Sequence, residues 1–187
     1  MDFIEKLLSS SGFDTILVIV NQLTKQAIFI SAHDIITSMN LAYLFILHVF
    51  SKHGVPSHII SNRGLEFVSN FFQFLGTTLN IWLHFTSGYH SKNNGQTKHM
   101  NQTLEQYLYV YCNYQQDNWS KLLPLMKFAY NNAPSATTGV FPFFVNKEYY
   151  PNITVYPKHD IAFFQVCDFT VDLNKLQSTL KAEISAV

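Results

Sequence analysis

Apolar and polar residues follow each other in blocks that predict strands early in the chain and helices later. The continuous β-branched run Thr15–Val20 is typical of a strand that is buried on both faces. A strand within residues 1–7 precedes it and another at Gln26–Ile30 follows it, which together predict an antiparallel meander. The first strand begins at the first printed residue, so we expect this strand to be truncated.

The middle of the chain predicts a helix with clear boundaries. Thr37 or Ser38 can cap it, and it ends at about His53, because Gly54 and Pro56 follow. This helix is apolar nearly all round, which indicates that it packs between a sheet and a further layer, either another helix or a second subunit. The remaining pattern predicts strands at 58–61 and 81–85 and helices at 67–79, 96–114, 119–131, 141–145 and 168–186. This order is typical of a mixed α/β sheet with helices on both faces.

Composition narrows the class of protein without deciding the function. The 187 residues suit one domain, and the 12 basic and 12 acidic side chains cancel, so any DNA contact must come from a local patch. Cys112 and Cys167 lack the paired spacing of a zinc site, and we do not expect a disulfide between them. No signal peptide or bilayer-spanning run is visible, so we expect a soluble intracellular protein with no membrane partner.

Several short motifs occur in a fixed order along the chain. They begin with Met1-Asp2-Phe3-Ile4, and 35 residues separate Asn62 from Lys98. The others are Leu23-Thr24-Lys25, His53-Gly54-Val55-Pro56, Ser61-Asn62-Arg63-Gly64, Tyr89-His90, Asn94-Gly95-Gln96-Thr97 and Phe128-Ala129-Tyr130-Asn131-Asn132. In this order and spacing the chain resembles the catalytic core of retroviral and retrotransposon integrases, most closely those of gypsy-class long-terminal-repeat retrotransposons.

The resemblance implies a fold, a domain division and a chemistry. The fold would be ribonuclease-H-like, with a mixed five-stranded sheet flanked by helices on both faces. Residues 1–150 would form the core, and residues 151–187 a linker and a C-terminal helix. In the family, three acids hold two Mg²⁺ or Mn²⁺ ions that activate the nucleophile for DNA strand transfer and stabilise the leaving oxygen.

Only the first of the three acids is present here. Asp2 matches the first position, Asn62 stands where the family has a second Asp, and Lys98 stands where it has a Glu. An ammonium about 4 Å from Mg²⁺ would be repelled by roughly 8 kcal/mol at an effective dielectric near 20. We therefore expect a degenerate copy that binds no catalytic metal, with Lys98 paired to Asp2. Neither Glu66 nor Glu105 is expected to replace the lost acids.

The resemblance also implies partners. DNA, as retroelement ends and target, would meet the residues around the start of the long helix, and the protein would form a homodimer in the nucleus. The candidate DNA-binding residues are Lys92, Gln96, Lys98, His99, Asn101 and Gln102. Two alternatives remain open: a scaffold or dimerisation module retained for its packing surfaces, and a residual metal-dependent nuclease or transferase that uses Asp2.

Overall fold

The structure is a computed structural model that describes residues 1–62, 64–86 and 95–151, with residues 65, 66 and 71 described by their backbone only. The chain divides into two compact units. One comprises Met1–Val20 and Ala27–Leu123, and the other comprises Asn21–Gln26 and the chain from Pro124 onward. The predicted 168–186 helix and the 87–94 loop lie outside the described residues. The domain boundary predicted at residue 150 remains a prediction.

The three strands at the start of the chain form the predicted antiparallel meander. They are β1 (Asp2–Ile4), β2 (Thr15–Val20) and β3 (Ala27–Ala32), with β2 in the centre. Residues 15–18 of β2 are all buried, as the β-branched run predicts for a strand covered on both faces. The pairing of Asp2 with Val18 places the start of β1 opposite the middle of β2.

The remaining two strands form a separate parallel pair, so the predicted single five-stranded sheet is replaced by ladders of three and two strands. They are β4 (His58–Ser61) and β5 (Trp82–Phe85). The ladders approach each other where the Met1 amino group donates a hydrogen bond to the Ile60 carbonyl oxygen at 2.6 Å. Among the described residues, no ladder between β1 and β4 accompanies this bond.

The predicted helix after β3 is present with its predicted boundaries but an irregular interior. It runs as α1 (Ser38–Phe45), a π-helical turn (Ile46–Phe50) and α2 (Ser51–His53). The Thr37 side chain caps its start by accepting a hydrogen bond from the Asn40 backbone N–H. Gly54 ends it with a φ of 77°, a conformation that glycine adopts at little cost.

The helix predicted at 67–79 is divided in two. The structure has α3 (Leu65–Val68) and α4 (Asn70–Thr78), because Ser69 between them has an extended backbone with ψ of 147°. The Ser69 hydroxyl then caps α4 by accepting from the Phe72 N–H at 3.2 Å. A serine that prefers a cap position therefore interrupts an otherwise apolar helical pattern.

The later helices agree with the sequence pattern to within a few residues. They are α5 (Gly95–Tyr111), α6 (Trp119–Asn131) and α7 (Pro142–Lys147). The α5 stripe of Met100, Leu104 and Leu108 is buried as its spacing predicts. No helix among the described residues is both long enough and apolar enough to cross a bilayer.

The main core of the first unit lies between the strands and the α1, α3 and α4 helices. Phe45, Phe67 and Phe72 meet there in edge-to-face pairs with ring centroids 5.8 and 6.1 Å apart. The helix α5 packs against β1 and β2. The buried residues of this core are Met1, Leu17, Ile30, Leu41, Phe45, Val49, Ile59, Phe67, Phe72 and Ile81.

The helix α4 carries a matched pair of phenylalanines that tests this core. Phe72 is 2% exposed and Phe74 is 70% exposed. We expect Phe72→Ala to lower the free energy of unfolding by about 3–5 kcal/mol, because it removes a buried ring and leaves a cavity. Phe74→Ala is expected to change it by less than about 0.5 kcal/mol. Urea denaturation of both variants measures the difference, and equal losses would contradict the packing described.

Candidate active site

The fold brings together side chains that lie far apart in the sequence. Asp2 begins β1, and Asn62 directly follows β4. Lys98 and Asn101 lie near the start of α5, which packs against β1. The side chains predicted from the sequence therefore lie around the position where β1, β4 and α5 meet.

The Asp2 carboxylate is half-buried and accepts hydrogen bonds from amides. The Asn62 side-chain Nδ2 donates to Asp2 Oδ1 at 2.9 Å, and the Phe3 backbone N–H donates to the same oxygen at 3.1 Å. The Asn101 Nδ2 donates to Oδ2 at 3.4 Å. Both carboxylate oxygens therefore have protein donors.

A hydrogen bond to its Oδ1 atom fixes the orientation of the Asn62 side chain. Its Oδ1 accepts the Gly64 backbone N–H at 3.0 Å, which forms a local turn after β4. This bond fixes which end of the amide faces Asp2, so the NH₂ group points to the carboxylate. A second carboxylate at residue 62 would instead bring two negative charges together at hydrogen-bond distance, an arrangement that requires a bound cation or a proton.

Burial raises the pKa of the Asp2 carboxyl above its usual value. Three influences oppose this rise: the Phe3 N–H hydrogen bond, the positive charge of the Met1 amino group and the charge of Lys98. Burial also lowers the pKa of the Met1 amino group itself to about 6. Because desolvation is the largest effect at Asp2, the local environment disfavours its charged form.

Lys98 interacts with Asp2 through space. Its charge lowers the Asp2 pKa, which agrees in sign with the attraction expected from the sequence. The Lys98 side chain is exposed, and within the described residues no direct ion pair joins it to Asp2. The side-chain hydrogen bonds to Asp2 come from the Asn62 and Asn101 amides, and the pairing of Lys98 with Asp2 stays a prediction.

Asn101, one of the residues predicted to bind DNA, contacts Asp2. Its side chain is half-buried and donates a hydrogen bond to the Asp2 carboxylate. Its Oδ1 atom is buried without a hydrogen-bond partner in the described structure. One sequence signal could have predicted that Asn101 lies near Asp2. Asn101 is three residues from Lys98, which places both on neighbouring positions of one helix face.

The other candidate residues of α5 lie on the surface. Gln96, His99 and Gln102 are exposed, as is Lys98, and Lys92 lies outside the described residues. Glu105 lines a separate pocket with Leu8 and Trp119, which agrees with the expectation that it does not replace a lost acid. For Glu66 only the backbone is described.

The residues around Asp2 do not fit a pair of Mg²⁺ ions. Hard divalent cations prefer several anionic or carbonyl oxygens, whereas Asp2 supplies one carboxylate whose oxygens already accept hydrogen bonds. The Asn62 oxygen faces the Gly64 N–H, and the nearby charge of Lys98 is positive. Across residues 1–62, 64–86 and 95–151, no three His, Cys, Asp or Glu side chains gather as a metal site.

Comparison with known proteins identifies relatives among retrotransposon polyproteins. The chain is 30% identical over 154 residues to the transposon Tf2-3 and Tf2-4 polyproteins of Schizosaccharomyces pombe, which covers 82% of the chain. It spans only 12% of the length of these relatives. No family model matches the chain.

Comparison with solved structures identifies the fold. The catalytic core domain of BIV integrase aligns with a TM-score of 0.57 and 19% identity over 79% of this chain and 93% of that domain. The HTLV-2 integrase catalytic core in complex with magnesium, in its trimeric form, aligns with a TM-score of 0.54 and 19% identity. That alignment covers 78% of this chain and 93% of the HTLV-2 chain.

The raised pKa of Asp2 gives a prediction with a defined sign. The folded chain holds the Asp2 proton more tightly than the unfolded chain does, so the Asp2 carboxyl contributes stability to the folded chain at low pH. This contribution is lost as the pH rises through the folded-state pKa. We expect Asp2→Asn to remove this loss, because Asn101 can turn its unpaired Oδ1 towards the new amide.

Denaturant unfolding from pH 3.5 to 7 measures this effect. The stability of Asp2→Asn relative to the native chain should rise with pH, and Asp117→Asn, at an exposed aspartate, serves as the control. Parallel pH profiles for the native chain and Asp2→Asn would show that burial of the Asp2 charge does not govern the site.

Proposed function

The chain is homologous to the Tf2 retrotransposon polyproteins and has the fold of retroviral integrase catalytic cores, and we propose that it is a retrotransposon integrase core that has lost DNA strand transfer. The order of the sequence motifs supports its assignment to the gypsy class. The observation that carries the loss is the 2.9 Å hydrogen bond from the Asn62 amide to Asp2. This contact occupies the space and the lone pair that a metal ion would need.

Two substitutions act together in this proposal. Asn62 removes a negative charge and directs a donor at Asp2, while Lys98 contributes a positive charge close enough to lower the Asp2 pKa. Mg²⁺ binding requires the opposite balance, with carboxylates that exceed the positive charge around them. The HTLV-2 integrase core structures that share the fold, in trimeric and dimeric form, are both complexes with magnesium.

Restoring the two acids tests the loss of catalysis. We expect Asn62→Asp/Lys98→Glu to perform Mn²⁺-dependent disintegration of a branched DNA substrate, because three carboxylates would then converge to hold the ions. The native chain and each single substitution should remain inactive. Adding Asp2→Ala to the double variant should abolish its activity, which controls for a contaminating nuclease.

Activity of the native chain that Asp2→Ala abolishes would overturn the proposal and favour a residual metal-dependent enzyme. An inactive double variant that unfolds cooperatively and binds Mn²⁺ would show that other changes also contribute to the loss.

The exposed start of α5 supports residual DNA binding. Gln96, Lys98, His99 and Gln102 can meet phosphate oxygens, which position DNA without reading its sequence. With no net charge on the chain, this contact would be weak and electrostatic. We also propose a nuclear location, which the resemblance to integrases implies.

Salt titration of DNA binding tests this surface. We expect the affinity to fall as salt rises, and Lys98→Ala to reduce the slope of log K against log salt by about 1, because one phosphate contact is lost. Lys52→Ala, at an exposed lysine of α2, should leave the slope unchanged. Absent or salt-insensitive binding would remove DNA from the proposal.

An exposed apolar stripe on the α1 helix and the π-helical turn supports a homodimer. Tyr43 is 62% exposed, and Met39, Ile46 and Leu47 are exposed beside it at helical spacing. Contiguous apolar surface of this kind is typical of protein interfaces. The HTLV-2 integrase core was also solved in a dimeric form, at a TM-score of 0.54.

Sedimentation velocity across a range of protein concentrations tests the dimer. We expect the native chain to dimerise and Tyr43→Glu/Leu47→Glu to shift it to monomer, because charges would be buried in the interface. Tyr114→Glu, at a fully exposed tyrosine beyond α5, should not change the association. A native chain that stays monomeric at high concentration would contradict a dimer through this stripe.

A further inference from the structure

The parallel pair β4–β5 has one face that carries exposed rings. Its inward residues Ile59 and Ser61 are buried, whereas the alternate residues His58, Trp82 and His84 are exposed. In the strand register, His58 is paired with Trp82 and Ile60 with His84, so the three rings lie on one face of the pair. This cluster is separate from the residues that contact Asp2.

The two imidazoles of the cluster lie close together and nearly parallel. Their ring centroids are 6.0 Å apart with an interplanar angle of 12°. The Trp82 ring lies 6.0 Å from His58 and 6.3 Å from His84. The exposed indole is thus a direct neighbour of both imidazoles.

His58 has a second contact that bears on its chemistry. Its Nδ1 lies 2.9 Å from the Ser57 hydroxyl oxygen. When Nδ1–H donates to this hydroxyl, the Nε2 atom carries the free lone pair and points away from Ser57. In this tautomer His58 has the usual arrangement of a metal-binding histidine, in which one ring nitrogen donates a hydrogen bond and the other is free to bind the metal.

We propose that His58 and His84 form a two-histidine site for a transition-metal cation of the Cu²⁺, Ni²⁺ or Zn²⁺ class. Imidazole nitrogen suits these ions, whereas Mg²⁺ prefers oxygen. The site differs from that of the family's catalytic metals in ligand type, in location and in the ion it selects. It does not depend on the proposed loss of strand transfer.

Binding requires only a rotation of exposed side chains. The two nitrogens must each come to about 2.0–2.1 Å from the metal, so the parallel rings turn towards each other from their 6.0 Å separation. Both histidines and their ring neighbour Trp82 are exposed, so this rotation requires no change in the buried core. The protein supplies two ligands and water completes the coordination shell.

The site links two strands that are distant in the sequence. His58 and His84 come together only when β4 and β5 pair, so the metal binds the folded chain more tightly than the unfolded chain. Metal binding should therefore raise the thermal unfolding temperature of the protein.

Trp82 is a built-in reporter for the first experiment. Cu²⁺ titration of the full chain should quench part of the tryptophan fluorescence, and Trp82→Phe should remove that part, because the other tryptophan, Trp119, is buried elsewhere. His58→Ala and His84→Ala should each weaken Cu²⁺ binding at least tenfold. His33→Ala, at an exposed histidine just after β3, should bind as the native chain does, and millimolar Mg²⁺ should not quench.

Thermal unfolding with Ni²⁺ provides a readout that does not depend on fluorescence. The native chain and His33→Ala should unfold at a higher temperature with Ni²⁺ than without it, whereas His58→Ala and His84→Ala should show no shift. Circular dichroism confirms that the variants are folded, and both replaced side chains are exposed. If either single variant binds Cu²⁺ as tightly as the native chain, or if Ni²⁺ does not shift the native unfolding temperature, the site does not exist.

Discussion

Burial of β2 on both faces is the constraint from which the rest of the first unit follows. A strand without a polar face must be covered on each side, so β1 and β3 pair with its edges while helices pack above and below. The helix α5 is one of these covers, because it packs against both β1 and β2. Its first turns are thereby brought to the start of β1, where Asp2 lies.

At that position the negative charge of the half-buried Asp2 carboxylate must be balanced by hydrogen-bond donors or by positive charge. Which of these balances it determines the chemistry of the site. A metal-dependent site compensates several carboxylates with cations. Here Asn62 and Asn101 donate amide hydrogen bonds to the one carboxylate, and Lys98 adds a positive charge nearby. The Asn62 and Asn101 side chains and the Phe3 N–H thus hold Asp2 in a network of amide hydrogen bonds, which we propose takes the place of the ion site.

The strand pair β4–β5 serves two different surfaces. Its carboxyl ends lead to Asn62 and Thr86, where the Thr86 hydroxyl and N–H both donate to the Ser61 carbonyl oxygen. Its outward face carries His58, Trp82 and His84. Because side chains alternate along a strand, the residues that pack into the core and those that remain available for binding are set independently.

The sequence by itself determined most of the elements of this protein and proposed the residues of its candidate site. Periodicity predicted β2, the α1 helix with its Thr37 cap and Gly54 end, and the buried stripe of α5, because these depend on local spacing and capping. Motif order predicted that Asp2, Asn62 and Lys98 belong together. Only the tertiary structure decided that Asn62 and Asn101, and not Lys98, contact Asp2, and that the strands form ladders of three and two. Those outcomes depend on how segments that are distant in the sequence meet in the fold. A local sequence pattern carries no information about such contacts.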